Sequence, residues 1–272
     1  VPLSHLPTPP KLAEGDNISL AQQAGARLSR MSTFWNWPSS YVPGSKYEGH
    51  DIGVLMVGER TLPHSIWVNS KGKRFCNEAA HNVAFAFETK NDSGELENQP
   101  AWAIMDSQYR RKYPISFKLM PGGKDPAWLI KAKSLDELAQ KINIEAKGLV
   151  STIKDFNLMA QKGKDTDFGR GNNLYERTLG DNFFTHPNLG ALETGPFYAV
   201  PVYASAVGTR GGAATDKNGR LLTESGSAIE GIYGSGNAVA CFFGPNIMAG
   251  GATIMPAMTF AHRAIQHITL QT

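Results

Sequence analysis

The feature that most constrains this chain is residues 230–269, EGIYGSGNAVACFFGPNIMAGGATIMPAMTFAHRAIQHIT. A short apolar strand, Gly231-Ile232-Tyr233, runs into Gly234-Ser235-Gly236-Asn237. A glycine-rich loop follows, carrying Gly244, Gly250 and Gly251. Pro256 then opens a predicted helix in which Met258, Ala261, Ile265 and Ile268 recur at three- and four-residue steps. Proline has no N–H to lose at a helix start, and its fixed φ suits that position. Strand, glycine loop and proline-started helix together set unpaired backbone N–H groups against something electron-rich.

This stretch resembles the C-terminal flavin-binding segment of the fumarate reductase and 3-ketosteroid dehydrogenase flavoprotein superfamily, where a Gly-Asn pair precedes a G-G-x-T-(I/L)-x-P-A-M-T-F run. The resemblance implies FAD as cofactor. It implies that Gly236, Asn237, Gly251, Pro256, Ala257, Met258 and Thr259 contact the flavin, with the helix N-terminus facing the N1/O2 edge of the ring. A helix N-terminus stabilises the negative charge that a flavin develops there on gaining a hydride.

The likeness extends over nearly the whole chain. Residues 15–26, GDNISLAQQAGA, resemble a helix from the middle of the family's sequence. Asp16 is the expected N-cap and Gly25 the expected stop, within a helical reading of residues 16–30. Residues 62–79, LPHSIWVNSKGKRFCNEA, resemble the start of the family's capping domain, and Gly72 there signals a hairpin turn. Residues 101–105 (AWAIM) read as a strand. Residues 134–145 read as a helix with a capping box of Ser134 and Glu137, and residues 148–162 as a second helix. Asp165-Thr166-Asp167-Phe168-Gly169-Arg170 resembles the family's D-x-D-F-G-R run, and its charges predict a structural ion-pair loop. Residues 195–207 alternate as strands, and Asn218-Gly219 predicts a type I′ turn. The expected fold is mixed, α+β or α/β. A flavin-domain remnant (residues 1–45) precedes a capping, catalytic domain (46–200) and the C-terminal part of a Rossmann-like FAD-binding domain (201–272).

A complete dinucleotide-binding domain of this kind carries G-x-G-x-x-G between a strand and a helix. No such run occurs in the sequence. The expectation is therefore that the N-terminal half is missing, so that a second polypeptide or the absent half is a required partner.

Composition excludes other classes. Lys and Arg number 27 against 24 Asp and Glu, a formal charge of +3 without a basic block, so nucleic acid is not implied. No apolar run approaches the roughly 18 residues of a membrane span. Cys76 and Cys241 lie far apart, fit no metal spacing and read as reduced thiols in a cytoplasmic protein.

The catalytic expectations come from the same resemblance. In ketosteroid dehydrogenases a glycine N–H and a tyrosine hydroxyl polarise the substrate carbonyl. Gly251 matches the glycine, but Ile247 stands in the tyrosine's place and cannot donate. A second tyrosine follows the family's N-E-A-A run; here His81 and Asn82 follow Asn77-Glu78-Ala79-Ala80. His81 is either a general base or a structural imidazole. Tyr198, in Gly195-Pro196-Phe197-Tyr198, either lines the pocket or is a structural tyrosine. The arginines with which fumarate reductases clamp a dicarboxylate are absent from the matching positions. Phe242, Phe243, Ile247 and Met248 instead suit a hydrophobic ketone. The implied function is an FAD-dependent dehydrogenase or reductase acting on a CH–CH bond beside a carbonyl, with a steroid-like ketone as substrate. A non-catalytic fragment or partner subunit is the alternative. A reductase of another unsaturated acid or ketone is a third reading, if Arg60 or Arg210 faces the pocket.

Overall fold

The computed structural model describes residues 14–243 and 250–271. In chain order its elements begin with helix α1 (Asp16–Gln23) and strands β1 (Leu28–Ser29), β2 (Phe34–Ser40), β3 (Lys46–Tyr47), β4 (His50–Asp51) and β5 (Val54–Leu55). Strands β6 (Ser65–Val68) and β7 (Ala101–Met105), helix α2 (Ser107–Lys112) and strand β8 (Ile130–Ala132) come next. Helices α3 (Leu135–Lys141), α4 (Ala146–Gln161) and α5 (Leu174–Thr178) lead to β9 (Phe197–Thr209), β10 (Gly212–Ala213), β11 (Arg220–Leu222), β12 (Ala228–Tyr233) and α6 (Ile254–Gln271). The architecture is mixed α/β. Two compact units are formed: one reaches to Asn36 and resumes at Ala206, the other runs Trp37–Ser205. Among the described residues no helix is long and apolar enough to cross a membrane.

The larger unit is organised by a six-stranded sheet of order β5-β2-β9-β7-β6, with β8 also paired to β9. Successive strand residues face opposite sides. Trp67, Ala103, Met105, Tyr198 and Val200 join one core, and Ile66, Val68, Ile104, Phe197 and Ala199 join another. Both faces are therefore covered, and the start of β9 is continuously buried instead of alternating with solvent. Helices α3 and α4 supply the second core through Leu138, Ala139, Leu149, Ile153 and Phe156.

Local chemistry sets the element ends. Ser134 Oγ accepts the Glu137 N–H (3.2 Å), while Glu137 reaches past the cap to the Lys133 N–H (2.8 Å). Helix α3 stops at Lys141, short of the expected 145, because Asn143 turns left-handed (φ 54°). The Ile144 N–H then returns to the Ala139 carbonyl, a Schellman ending. Gly72 does make a turn, donating to the Asn69 carbonyl (2.9 Å), but no hairpin follows. Strand β6 pairs with β7 instead. The turn is pressed onto the start of α4, where a Cβ on Gly148 would lie 2.0 Å from the Lys71 carbonyl oxygen.

In the smaller unit α1 ends at Gln23, not near residue 30, since Gly25 is left-handed (φ 78°) and β1 follows. Gly15, not Asp16, caps its start. The turn at Asn218-Gly219 is not type I′, which needs positive φ at both residues. Only Gly219 has it (79°), and the Asp216 carboxylate accepts the Asn218 and Arg220 N–H groups, giving a three-residue loop closed by a left-handed glycine. Helix α6 begins at Ile254, two residues ahead of Pro256, which still sits in the first turn where no intrahelical N–H is required. The apolar stripe that marks α6 in the sequence is exposed: Met258 68%, Ile265 61% and Ile268 39%, with Ala264 buried. The unit's own core is small, built on Ala21, Ala26, Ala213 and Leu221.

One buried carboxyl ties the stability of the larger unit to pH. Glu59 is 3% exposed and accepts the Ser116 N–H (3.0 Å), at a turn where Ser116 and Phe117 both have φ 49°. Burial pushes its pKa up from 4.5 to about 8, against the lowering effect of the Ser116 and Phe117 N–H groups. The folded state thus holds a proton that the unfolded chain releases, so this group's contribution to stability falls as pH rises from about 4.5 to about 8. Glu59→Gln keeps an acceptor and removes the titration. Urea unfolding of this variant is expected to show a shallower loss of stability between about pH 5 and about pH 8. A slope equal to the parent's contradicts the assignment.

Candidate functional site

The sequence signals of the smaller unit converge on one hollow. Strand β10 lies beside the G-S-G-N loop: Ala213 bridges Val239 in parallel, the Ala240 N–H donates to the Ala213 carbonyl (2.9 Å), and the Cys241 N–H donates to the Arg210 carbonyl (2.9 Å). Glycine is required at 212, where a Cβ would lie 2.7 Å from the Val239 carbonyl carbon. Gly236 is left-handed (φ 65°), and a Cβ there would approach the Ala257 Cβ to 3.2 Å. Trp35, Asn237, Cys241, Phe242, Pro256 and Phe260 line the hollow, together with Gly236, Ala252 and Thr253.

Of the expected cofactor contacts, Gly236, Asn237 and Pro256 therefore share one surface, with Ala257 packed behind Gly236. Gly251 lies just before the lining residue Ala252; it has φ 85°, and its carbonyl accepts the Met255 N–H (2.9 Å). Met258 and Thr259 are not among the lining residues, and the Thr259 hydroxyl turns back along α6 to the Met255 sulfur (3.6 Å). Gly244, Ile247 and Met248 lie outside the described residues.

The walls suit a flat, electron-rich ring. Trp35, Phe242 and Phe260 supply aromatic faces, α6 brings its positive end through Pro256, and no carboxylate occurs among the described lining residues. The residues present thus fit an isoalloxazine. A glycine loop for the pyrophosphate of a dinucleotide is not part of this sequence.

The larger unit holds the other candidates. The His81 Nδ1 lies 2.9 Å from the Tyr175 hydroxyl, and its ring meets Tyr175 and Trp37 edge-on (centroids 5.2 and 5.7 Å). Asn82 is exposed beside it. Tyr198 is buried in the core, its hydroxyl 3.5 Å from Asp125. Sequence reasoning missed Tyr175 and Trp37, which meet His81 only through the fold.

The loop that carries His81 is set by a buried charge cluster. Arg74 pairs with Glu78 and with Asp165 (2.9 Å each), and Arg170 reaches Glu78 (3.3 Å). Glu78 also accepts the Trp67 N–H (3.0 Å), and Asp165 accepts the N–H groups of Asp167, Phe168 and Arg170. Burial alone would raise the Glu78 carboxyl, but Arg74 and Arg170 hold it below the ordinary carboxylate value. Arg60, 1% exposed beneath Trp37 (5.1 Å), donates to the Glu78 and Ala80 carbonyls (2.6 and 2.8 Å). Burial pulls its guanidinium down to about 10. Arg210 is buried against Trp35 (4.2 Å). Arg210 is not among the described residues that line the hollow.

Comparison with known proteins agrees with these features. Residues 2–254 match the family described as FAD binding domain. The chain is 40% identical over 263 residues to a 3-oxosteroid 1-dehydrogenase of Mycolicibacterium smegmatis, covering 92% of this chain and 45% of the relative. It is 37% identical over 260 residues to a 4-oxocyclohexanecarboxylate 2-dehydrogenase of Sinomonas cyclohexanicum, covering 94% and 45%. The crystal structure of a 3-ketosteroid delta1-dehydrogenase from Sterolibacterium denitrificans, in complex with 1,4-androstadiene-3,17-dione, superposes with a TM-score of 0.89 at 36% identity. That match covers 98% of this chain and 48% of the other. The chain thus spans about half the length of the relatives it matches.

The charge cluster gives a direct prediction. Glu78→Gln leaves Arg74 and Arg170 buried with their shared carboxylate removed, and is expected to cost about 3–5 kcal/mol in denaturant unfolding. A cost below about 1 kcal/mol contradicts the cluster's structural role.

Proposed function

Because this chain belongs to the family of FAD binding domains, within the fumarate reductase and 3-ketosteroid dehydrogenase flavoprotein superfamily, we propose that it is the capping and C-terminal portion of an FAD-dependent oxidoreductase acting on a CH–CH bond beside a carbonyl. A hydrophobic, steroid-like cyclic ketone is the proposed substrate. In this reading residues 46–200 form the cap, and residues 1–45 and 201–272 belong to a Rossmann-like FAD domain. The observation that carries it is the carboxylate-free aromatic hollow at the start of α6, formed by Gly236, Asn237 and Pro256.

When bound, FAD supplies the hydride acceptor or donor for a substrate carbon. Asn237, Pro256 and the helix start would hold its ring. The chain's own residues handle the proton and the carbonyl. His81, oriented by Tyr175, moves the proton at the carbon next to the ketone. The Gly251 N–H would receive the enolate oxygen. Tyr198, with its hydroxyl turned to Asp125, is assigned to the core of the cap. Arg60 Nη1 is held by backbone carbonyls and Arg210 is stacked on Trp35, which supports a ketone over a dicarboxylate as substrate.

The exposed stripe of α6 supports a second statement: the chain needs a polypeptide carrying the dinucleotide-binding half, and alone would be a non-catalytic portion. The test is a visible absorption spectrum of the purified chain, with and without such a polypeptide, followed by a ketone panel with an artificial electron acceptor. The expected result is a flavin spectrum with the partner present, turnover of 3-oxosteroids but not of fumarate, and a turnover loss of about 10²- to 10⁴-fold in His81→Phe. Absence of flavin in both samples, or reduction of fumarate, overturns the proposal.

A further inference from the structure

We infer that Trp35 is a cofactor-positioning residue, whose indole N–H donates to a carbonyl or ring-nitrogen acceptor on the flavin; this rests on the reading of the hollow as the flavin site. Trp35 lines that hollow and is 5% exposed. Its Nε1 is buried and has no acceptor among the described residues. Buried indole N–H groups are normally paired. An indole nitrogen is a donor only, so the missing partner must carry a lone pair, which a hydrocarbon occupant lacks.

The surroundings hold the indole plane. The Arg210 guanidinium stacks on its ring at 4.2 Å. Arg210 is in turn fixed by its backbone, its N–H donating to the Thr33 carbonyl (3.1 Å) and its carbonyl accepting the Cys241 N–H (2.9 Å). A Cβ on Gly208 would lie 3.6 Å from Trp35 Cδ1 and 3.4 Å from Asn237 Nδ2, ordinary contact distances that place both lining side chains beside the same backbone position. Trp35 and Asn237 thus stand side by side as donors on one wall. The carboxylate-free lining offers a competing acceptor only in neutral oxygens.

The experiment uses the chain with its five tryptophans labelled with ¹⁵N at the indole nitrogen. Trp35→Phe assigns the Trp35 signal by its loss; it keeps an aromatic face for Arg210, and unchanged positions of the other indole signals show that the fold is retained. The polypeptide carrying the dinucleotide-binding half is added unlabelled and FAD is titrated into the combined sample, with binding followed independently by flavin fluorescence. The expected result is a saturable shift of the Trp35 N–H signal and an FAD affinity about five- to tenfold weaker in Trp35→Phe. If FAD binds while the Trp35 signal stays still and both proteins bind equally, the inference fails and the flavin site stands. If no FAD binds, the flavin reading of the hollow fails and this inference with it. A Trp35 shift produced by a ketosteroid but not by FAD also overturns it.

Discussion

The larger unit depends on one buried carboxylate. Glu78 is 1% exposed and is shared by Arg74 and Arg170, while Asp165 takes the remaining face of Arg74. Such an arrangement is stable only when every member is satisfied. Here that demand joins distant pieces of chain. Trp67 of β6 donates its N–H to Glu78, Arg170 donates to the Ser65 and Leu62 carbonyls, and the Arg74 guanidinium lies over Phe156 of α4. The same carboxylate fixes the start of the loop that bears His81, and Arg60 holds the loop's carbonyls. Sheet, helical layer and candidate proton-transfer residue therefore share one electrostatic anchor.

The smaller unit is built on a different principle. Its hollow is shaped by the close backbone approach at Gly212, which only glycine permits, by the left-handed turn at Gly236, and by the stacked Trp35 and Arg210. Its apolar core is slight and the long face of α6 is exposed. In the proposed reading the rest of an FAD domain supplies that face with its packing partner. The larger unit carries its own cores and ion cluster, whereas the smaller unit has a slight core and exposes the apolar residues of α6.

Much of this was legible in the sequence, for reasons that differ by residue. The capping box at Ser134 and the stop at Gly25 are local chemistry, and both act where they were expected. The glycines and Pro256 report backbone demands directly, so the hollow could be foreseen. Four features could not. The turn at Asn218-Gly219 is decided by the Asp216 carboxylate gathering nearby N–H groups, which dipeptide preference ignores. The run at the start of β9 is buried on both faces because helices cover the far side. The pairing of His81 with Tyr175, and the orphan N–H of Trp35, are long-range facts that no spacing encodes.

Native-state hydrogen exchange on the chain alone tests the central claim most directly, that the larger unit is a closed body around Glu78 while the smaller unit leaves the apolar face of α6 unpacked. The account predicts the slowest amides in β6, β7 and α4, with those of α6 exchanging orders of magnitude faster. Amides of α6 protected as strongly as those of α4 would contradict it.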